Sequence, residues 1–188
     1  MTIIAKALDQ IRRICGGLAS RCRNIYYRGL GVEIEGYVWM RTVDIPRNYS
    51  QIFLAKGVAL DEGVTLLAVG EPGGAKKIAI GENTYINRNT FIDASHQITI
   101  GRGVGIGPWC YITDHDHGTE PDTPILDQPL VSAPTVISDG VWLGAGCIVL
   151  KGVTIGKNTV VGAGSIVVRD LPPDIVAKGR PARAVRKR

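Results

Sequence analysis

The chain has 188 residues, of which 45% are hydrophobic and 21% charged, with a formal net charge of +5 and a pI near 9.1. That is one domain, or one domain with appendages, of a composition ordinary for a soluble globular protein. No apolar run approaches the ~18 residues of a membrane-spanning helix. The basic excess gathers at the end, in Lys178, Arg180, Arg183, Arg186, Lys187 and Arg188. No motif of a nucleic-acid reader accompanies it, so no nucleic acid is expected as a partner.

In chain order, Thr2–Ile25 reads as an amphipathic helix. Ile4, Leu8, Ile11 and Cys15 share one face at helical spacing, with Lys6 and Arg13 opposite, and Gly16-Gly17 weakens its middle. Residues 1–30 are therefore expected as a helical segment that caps the open end of a repeat domain or packs between subunits. Peripheral contact with a membrane surface is the other use of such a helix. Ile3–Leu8 is too short for a signal peptide and is soon followed by Arg12 and Arg13. Cys15, Cys22, Cys110 and Cys147 show neither a C-x-x-C pair nor zinc-finger spacing, so reduced thiols and a cytoplasmic location are expected.

From Leu54 a six-residue period governs the chain. Leu54, Leu60 and Leu66 form one run; Ile80, Ile86 and Ile92 a second; Ile100, Ile106 and Ile112 a third. The longest run is Ile137, Leu143, Val149, Ile155, Val161 and Val167. The residue after each stop is often Gly, Asn or Asp, and the residue four past it is small or β-branched. The 24 glycines, above the usual share of roughly 7%, concentrate in this pattern. Six is neither a helical period nor strand alternation. It suits a short strand and a tight corner, three of which make one triangular turn of a parallel coil with the aliphatic residue inside. A β-sandwich has no reason to hold one phase through six hexads. The phase slips at Gly70–Ile78, at Gln97–Ile100 and across Gly118–Val136, which marks insertions at corners. The expected organisation is an all-β solenoid over residues 31–170 with a loop insertion at 118–136, and a C-terminal tail, 171–188, after the break at Leu171-Pro172-Pro173.

The only histidines are His96, His115 and His117. The last two fall in Tyr111-Ile112-Thr113-Asp114-His115-Asp116-His117-Gly118, a charged cluster at the mouth of the long insertion, where a site is expected. Histidine is the natural general base near neutral pH, and Asp114 or Asp116 is placed to fix its tautomer.

The hexads, with Gly140-Val141-Trp142-Leu143-Gly144-Ala145-Gly146, Gly152-Val153-Thr154-Ile155-Gly156, Gly162-Ala163-Gly164-Ser165 and Ala177-Lys178-Gly179-Arg180-Pro181-Ala182-Arg183, resemble the hexapeptide-repeat acyltransferases, in the branch of the maltose, galactoside and polysaccharide O-acetyltransferases. The resemblance implies a left-handed parallel β-helix, a homotrimer with sites between subunits, acetyl-CoA as donor, and a sugar or glycan acceptor, without a metal. In its pattern Gly101 and Pro108 match, and the ninth residue after Pro108 is His117. A two-residue gap would give the base's role to His115. Asn87 matches an acceptor contact and Asp93 lies near another, although the ungapped match there is Ser95; Asp114 joins them as an acceptor-site candidate. Ala145, Ala163, Val168 and Arg169 match contacts to the donor, and Arg183 and Arg186 match the basic positions that meet its phosphates. The tail thus completes the CoA site. N-acetylation of an amino sugar or an antibiotic is the alternative within acyl transfer. From another class, γ-type carbonic anhydrases share this coil and hold zinc with three histidines.

Overall fold

The structure, a computed structural model, describes residues 3–188, except for the side chains of residues 3, 6 and 7. Thr2 and the side chain of Lys6, assigned to the helix from sequence, lie outside the described residues.

The six-residue period becomes geometry directly. Each run of three aliphatic stops is one turn of the coil, and each stop lies on a different parallel sheet. The first sheet stacks Ile34, Leu54, Ile80, Ile100, Ile137 and Ile155. The second stacks Met40, Leu60, Ile86, Ile106, Leu143, Val161 and Ala177. The third stacks Leu66, Ile92, Ile112, Val149 and Val167. All of these side chains are buried, in one continuous core.

The other two positions of the hexad have physical reasons. The residue after each stop begins a corner where the next coil's backbone passes close by. A Cβ on Gly144 would lie 2.5 Å from the Ala163 nitrogen, so only glycine fits. Where the residue four past a stop is Thr or Cys, it is buried against a corner carbonyl of the next coil. There Thr84 donates to Gly101 O (2.7 Å), Thr90 to Gly107 O (3.0 Å) and Thr159 to Pro172 O (2.7 Å). The Cys110 and Cys147 thiols do the same toward Gly144 O and Gly162 O, both at 3.3 Å. A buried carbonyl without a donor is costly, which explains the small polar residues at this position.

Helix α1 (Ile3–Leu30) closes the N-terminal end. Coils end in unpaired strand edges, and α1 satisfies this one with side chains. Ser20 Oγ donates to Val38 O and accepts from Met40 N. Asn24 Nδ2 donates to Val38 O at 2.7 Å and its Oδ1 accepts from Val38 N at 3.1 Å, while Tyr27 Oη donates to Val43 O at 2.8 Å. Ser20, Asn24 and Tyr27 are buried. Gly16-Gly17 does not interrupt the helix; Gly16 faces the Trp39 ring, which a Cβ would only touch at 3.7 Å. Replacing Asn24 by Ala leaves Val38 N without its acceptor and Val38 O with only the longer Ser20 bond, and is expected to cost about 1–2 kcal/mol, read as a lowered urea midpoint with an unchanged slope.

Both ends of the coil extend beyond the hexads evident in the sequence. Glu33–Ile34 and Trp39–Met40 build a turn before Leu54. The tail re-enters the second sheet: Ile175–Gly179 pairs in parallel with Val160–Val161, then turns back as an antiparallel strand, Ala182–Lys187. Ile175, Ala177 and Ala182 are buried, which anchors the hairpin despite its charge. The 118–136 insertion is also a hairpin, with His115, Asp116 and His117 paired antiparallel to Ser132, Val131 and Leu130.

Candidate active site

The hairpin leaves the coil at the corner between the third and first sheets. Its neck is closed by Thr135 Oγ1 donating to Thr113 O at 2.9 Å and Ala133 N donating to Asp114 O at 2.8 Å. At this corner the coil below carries the Gln97–Ile100 phase slip, a widened turn with two backbone N–H groups pointing inward. Asp114 fills it. Its carboxylate accepts from Ser95 N and His96 N, both at 2.8 Å, and its Oδ1 lies 3.0 Å from His115 Nδ1.

This geometry sets the surroundings of the candidate residues. Asp114, a candidate acceptor contact, is fully buried, with its oxygens committed to the turn and to His115. His115 is nearly enclosed: Nδ1 faces Asp114, and Nε2 lies 3.9 Å from Asp93 Oδ2. His117, two residues out along the same strand, is exposed. His96 is exposed as well, and only its backbone joins the cluster. Asp116 turns away to an ion pair with Lys151 at 3.1 Å.

Asp93 sits beside this cluster on the third sheet, in register with Thr113. Tyr111 Oη donates to its Oδ2 at 3.2 Å. Its Oδ1 is buried and has no hydrogen-bond donor among the described residues. Burial pushes the Asp93 carboxyl above its usual range, against the pull of His115 and the Tyr111 hydroxyl. The fold therefore favours the neutral acid. The stability this contributes is present below the unfolded value of ~3.9 and is lost as pH rises through the raised folded value. Asp93→Asn is accordingly expected to raise the melting temperature at pH 7, with the gain shrinking toward pH 4 as the wild-type carboxyl protonates; thermal scans at both pH values test this.

The remaining candidates occupy other positions around the coil. Asn87 begins the corner between the second and third sheets, its Oδ1 accepting from Arg88 N at 2.8 Å. Ala145 and Ala163 lie on the same corner in consecutive coils, joined by Gly164 N donating to Ala145 O at 2.8 Å, and Trp142 stands exposed beside them. Val168 and Arg169 are exposed on the histidine's corner, farther along the coil. Arg183 and Arg186 are exposed on the terminal hairpin, and Arg180 Nε donates to Gly164 O at 2.7 Å, which brings the hairpin against the Ala163 turn. The candidates therefore divide between two corners, with the whole third sheet between them.

Sequence reasoning missed Tyr111, Tyr85 and Asp61. Tyr85 Oη donates to Asp61 Oδ2 at 3.0 Å, beside Asn87. Burial works against the Asp61 charge, but hydrogen bonds from the Glu62 N–H and Tyr85, with the Arg88 and Arg41 guanidiniums, outweigh it and hold the carboxyl below its usual range. A signal for Tyr111 does exist: stepping from Ile92 to Ile112 puts Asp93 beside Thr113 and so near Tyr111. Among the described residues, no three His, Cys, Asp or Glu side chains gather as a metal-ligand set.

The family of bacterial transferase hexapeptide repeats (six repeats) matches residues 134–169. A protein of Escherichia coli named as a lipopolysaccharide biosynthesis O-acetyl transferase, WbbJ, is 35% identical over 149 residues, covering 75% of this chain and 74% of that one. The galactoside O-acetyltransferase of Escherichia coli is 39% identical over 110 residues, 58% of this chain and 54% of its own length. A hexapeptide-repeat acetyltransferase of Vibrio cholerae, solved in complex with acetyl coenzyme A, superposes with a TM-score of 0.56 at 38% identity, over 60% of this chain and 61% of that one. The chain spans about half the length of the first curated relatives it matches. Repeats that stack as the period requires, and a relative matched across three quarters of both chains, place this chain in the hexapeptide-repeat transferase family.

Proposed function

We propose that the chain is an acetyl-CoA-dependent O-acetyltransferase acting on a sugar hydroxyl of a surface-polysaccharide precursor. In this reading it works in the cytoplasm as a left-handed coil assembled into a homotrimer, with a site between neighbouring subunits. One observation carries the reading: the histidine hairpin and the Ala145–Ala163 turns occupy different corners of the triangular coil. Neither corner makes a whole site. Where two copies pack side by side, the small-residue corner of one faces the histidine corner of the next. The names of the Escherichia coli relatives support a glycan acceptor, and the Vibrio cholerae complex supports the donor.

The chain's residues suit that chemistry. Ala145 and Ala163 leave a corner without long side chains, along which a linear pantetheine arm can lie. Arg180, Arg183 and Arg186 stand at its end for the donor's phosphates. Asp93 Oδ1, buried without a donor, fits an acceptor hydroxyl, and the Asn87 amide lies on the facing corner. His117 takes the proton of the reacting hydroxyl as that oxygen attacks the thioester carbon, then gives it to the departing thiolate as the carbon–sulfur bond breaks. His115 is less suited, because both its ring nitrogens already face carboxylates. It holds the base of the hairpin on Asp114.

A thiol-release assay over glycans, amino sugars and simple sugars tests the reading, run before and after dialysis against a chelator. CoA release with a hydroxyl acceptor, unchanged by chelation, is expected. Release only with amino sugars would assign N-acetylation instead. Stoichiometric zinc with no acetyl-CoA binding would replace transfer by the metal-dependent hydratase.

A further inference from the structure

Helix α1 has two opposed faces, and only one has a partner. Ser20, Asn24 and Tyr27 hydrogen-bond to the first coil, which fixes the rotation of the helix about its axis. The opposite face carries Ile4, Leu8, Ile11, Ile14, Cys15, Leu18, Cys22 and Ile25. All are exposed: Ile4 by 72%, Leu8 by 61%, Ile11 by 56%, Leu18 by 58% and Ile25 by 70%. At about 100° per residue they fill one arc of roughly 120° that runs the length of the helix. An apolar arc this continuous marks an interaction surface, unlike scattered single residues. The hydrogen bonds on the other side prevent it from turning inward.

We infer that this arc docks the protein on the surface of an anionic lipid bilayer. The charges beside the arc choose this occupant. Arg12 borders one edge and Arg21 the other, both exposed. The helix contains five arginines and a single acid, Asp9, already paired with Arg13 at 3.0 Å. A second copy of α1 laid on the arc would bring arginine against arginine with no carboxylate to answer. Anionic headgroups supply that answer, and arginines at the edges of an apolar arc reach up to them along their own methylenes. The side chains at Cys15 and Cys22 are also too short to interlock as the alternate knobs of a helix–helix seam. Among the described residues, no helix is long and apolar enough to cross a membrane, so the helix lies in the interface plane.

Flotation of the full chain with vesicles tests the inference without using activity. Co-flotation with phosphatidylglycerol-containing vesicles is expected, reduced roughly tenfold or more on pure phosphatidylcholine. The double substitution Ile11→Ser with Leu18→Ser should abolish it while leaving CoA release and the mass in solution unchanged. Both positions point away from the coil, so folding is not at risk. Absence of flotation on anionic vesicles overturns the inference, as does flotation that survives the double substitution. A fall in solution mass on making the double variant also overturns it, because the arc would then be a contact between copies of this chain.

Discussion

Replacing His117 by Ala is expected to lower kcat by about 10²–10⁴-fold with little change in the KM for acetyl-CoA. The reason is positional. His117 projects from the hairpin beyond the acidic cluster, exposed on one corner of the coil, so trimming its ring leaves the backbone pairing of the hairpin in place. Loss of a proton acceptor used only as the bond forms lowers kcat and kcat/KM together, whereas loss of a binding contact raises KM. His115→Ala should behave differently. It removes the ring lying 3.0 Å from the buried Asp114 carboxylate, so it is expected to destabilise the hairpin by about 1–3 kcal/mol and to reduce the rate through misplacement. Added imidazole separates the two roles: it should restore part of the rate to His117→Ala and none to His115→Ala. The converse pattern, with His115→Ala inactive and rescued while His117→Ala turns over normally, would give the base's role to His115.

The coil was legible because its cause is local and repeated. One aliphatic stop every six residues is needed wherever three short strands and three corners close a triangle, so the signal recurs in every turn. Its absence was informative as well. The slip at Gln97–Ile100 marked the widened corner that Asp114 fills, and the slip across Gly118–Val136 marked the hairpin. What filled those slips was not legible. Asp114 is buried because of two N–H groups donated by Ser95 and His96, far from it in sequence, and nothing in Thr113-Asp114-His115 announces that demand. Leu130-Val131-Ser132 is too short and too exposed to show strand alternation, and its pairing depends on the neck closing at Thr113 and Thr135. The tail was hidden differently. Its arginines dominate the composition, while its attachment rests on Ile175, Ala177 and Ala182. The division of the candidate site between two corners required the coil to be assembled first: sequence stepping gives the corner of each residue, but only stacked sheets show that a whole face lies between Asn87 and the histidines.

The same stacking makes Gly144→Ala one of the most damaging small substitutions expected in the coil. A Cβ there would meet the next turn's backbone, at 2.5 Å from Ala163 N and 2.8 Å from Ala163 Cα. These atoms are not the far end of a flexible side chain. They are held by Gly144 N donating to Val161 O and Gly164 N donating to Ala145 O, both at 2.8 Å, so relief means parting two coils and losing those bonds. Overpacking of this kind costs about 3 kcal/mol, the upper end of its usual range, which in a chain of this size lowers the melting temperature by roughly 6–12 °C. Gly29→Ala is the matched control. It lies in α1 with nothing within 4 Å of the new Cβ, and should be neutral or stabilising by up to ~1 kcal/mol through the unfolded chain. If the two variants melt together, close approach of the coils is not what keeps glycine at Gly144. If Gly144→Ala melts early and also loses acetyl-CoA binding at temperatures where it is folded, the parted turns include Ala145 and Ala163, and the corner that fixes the spacing of the coil is the one along which the donor lies.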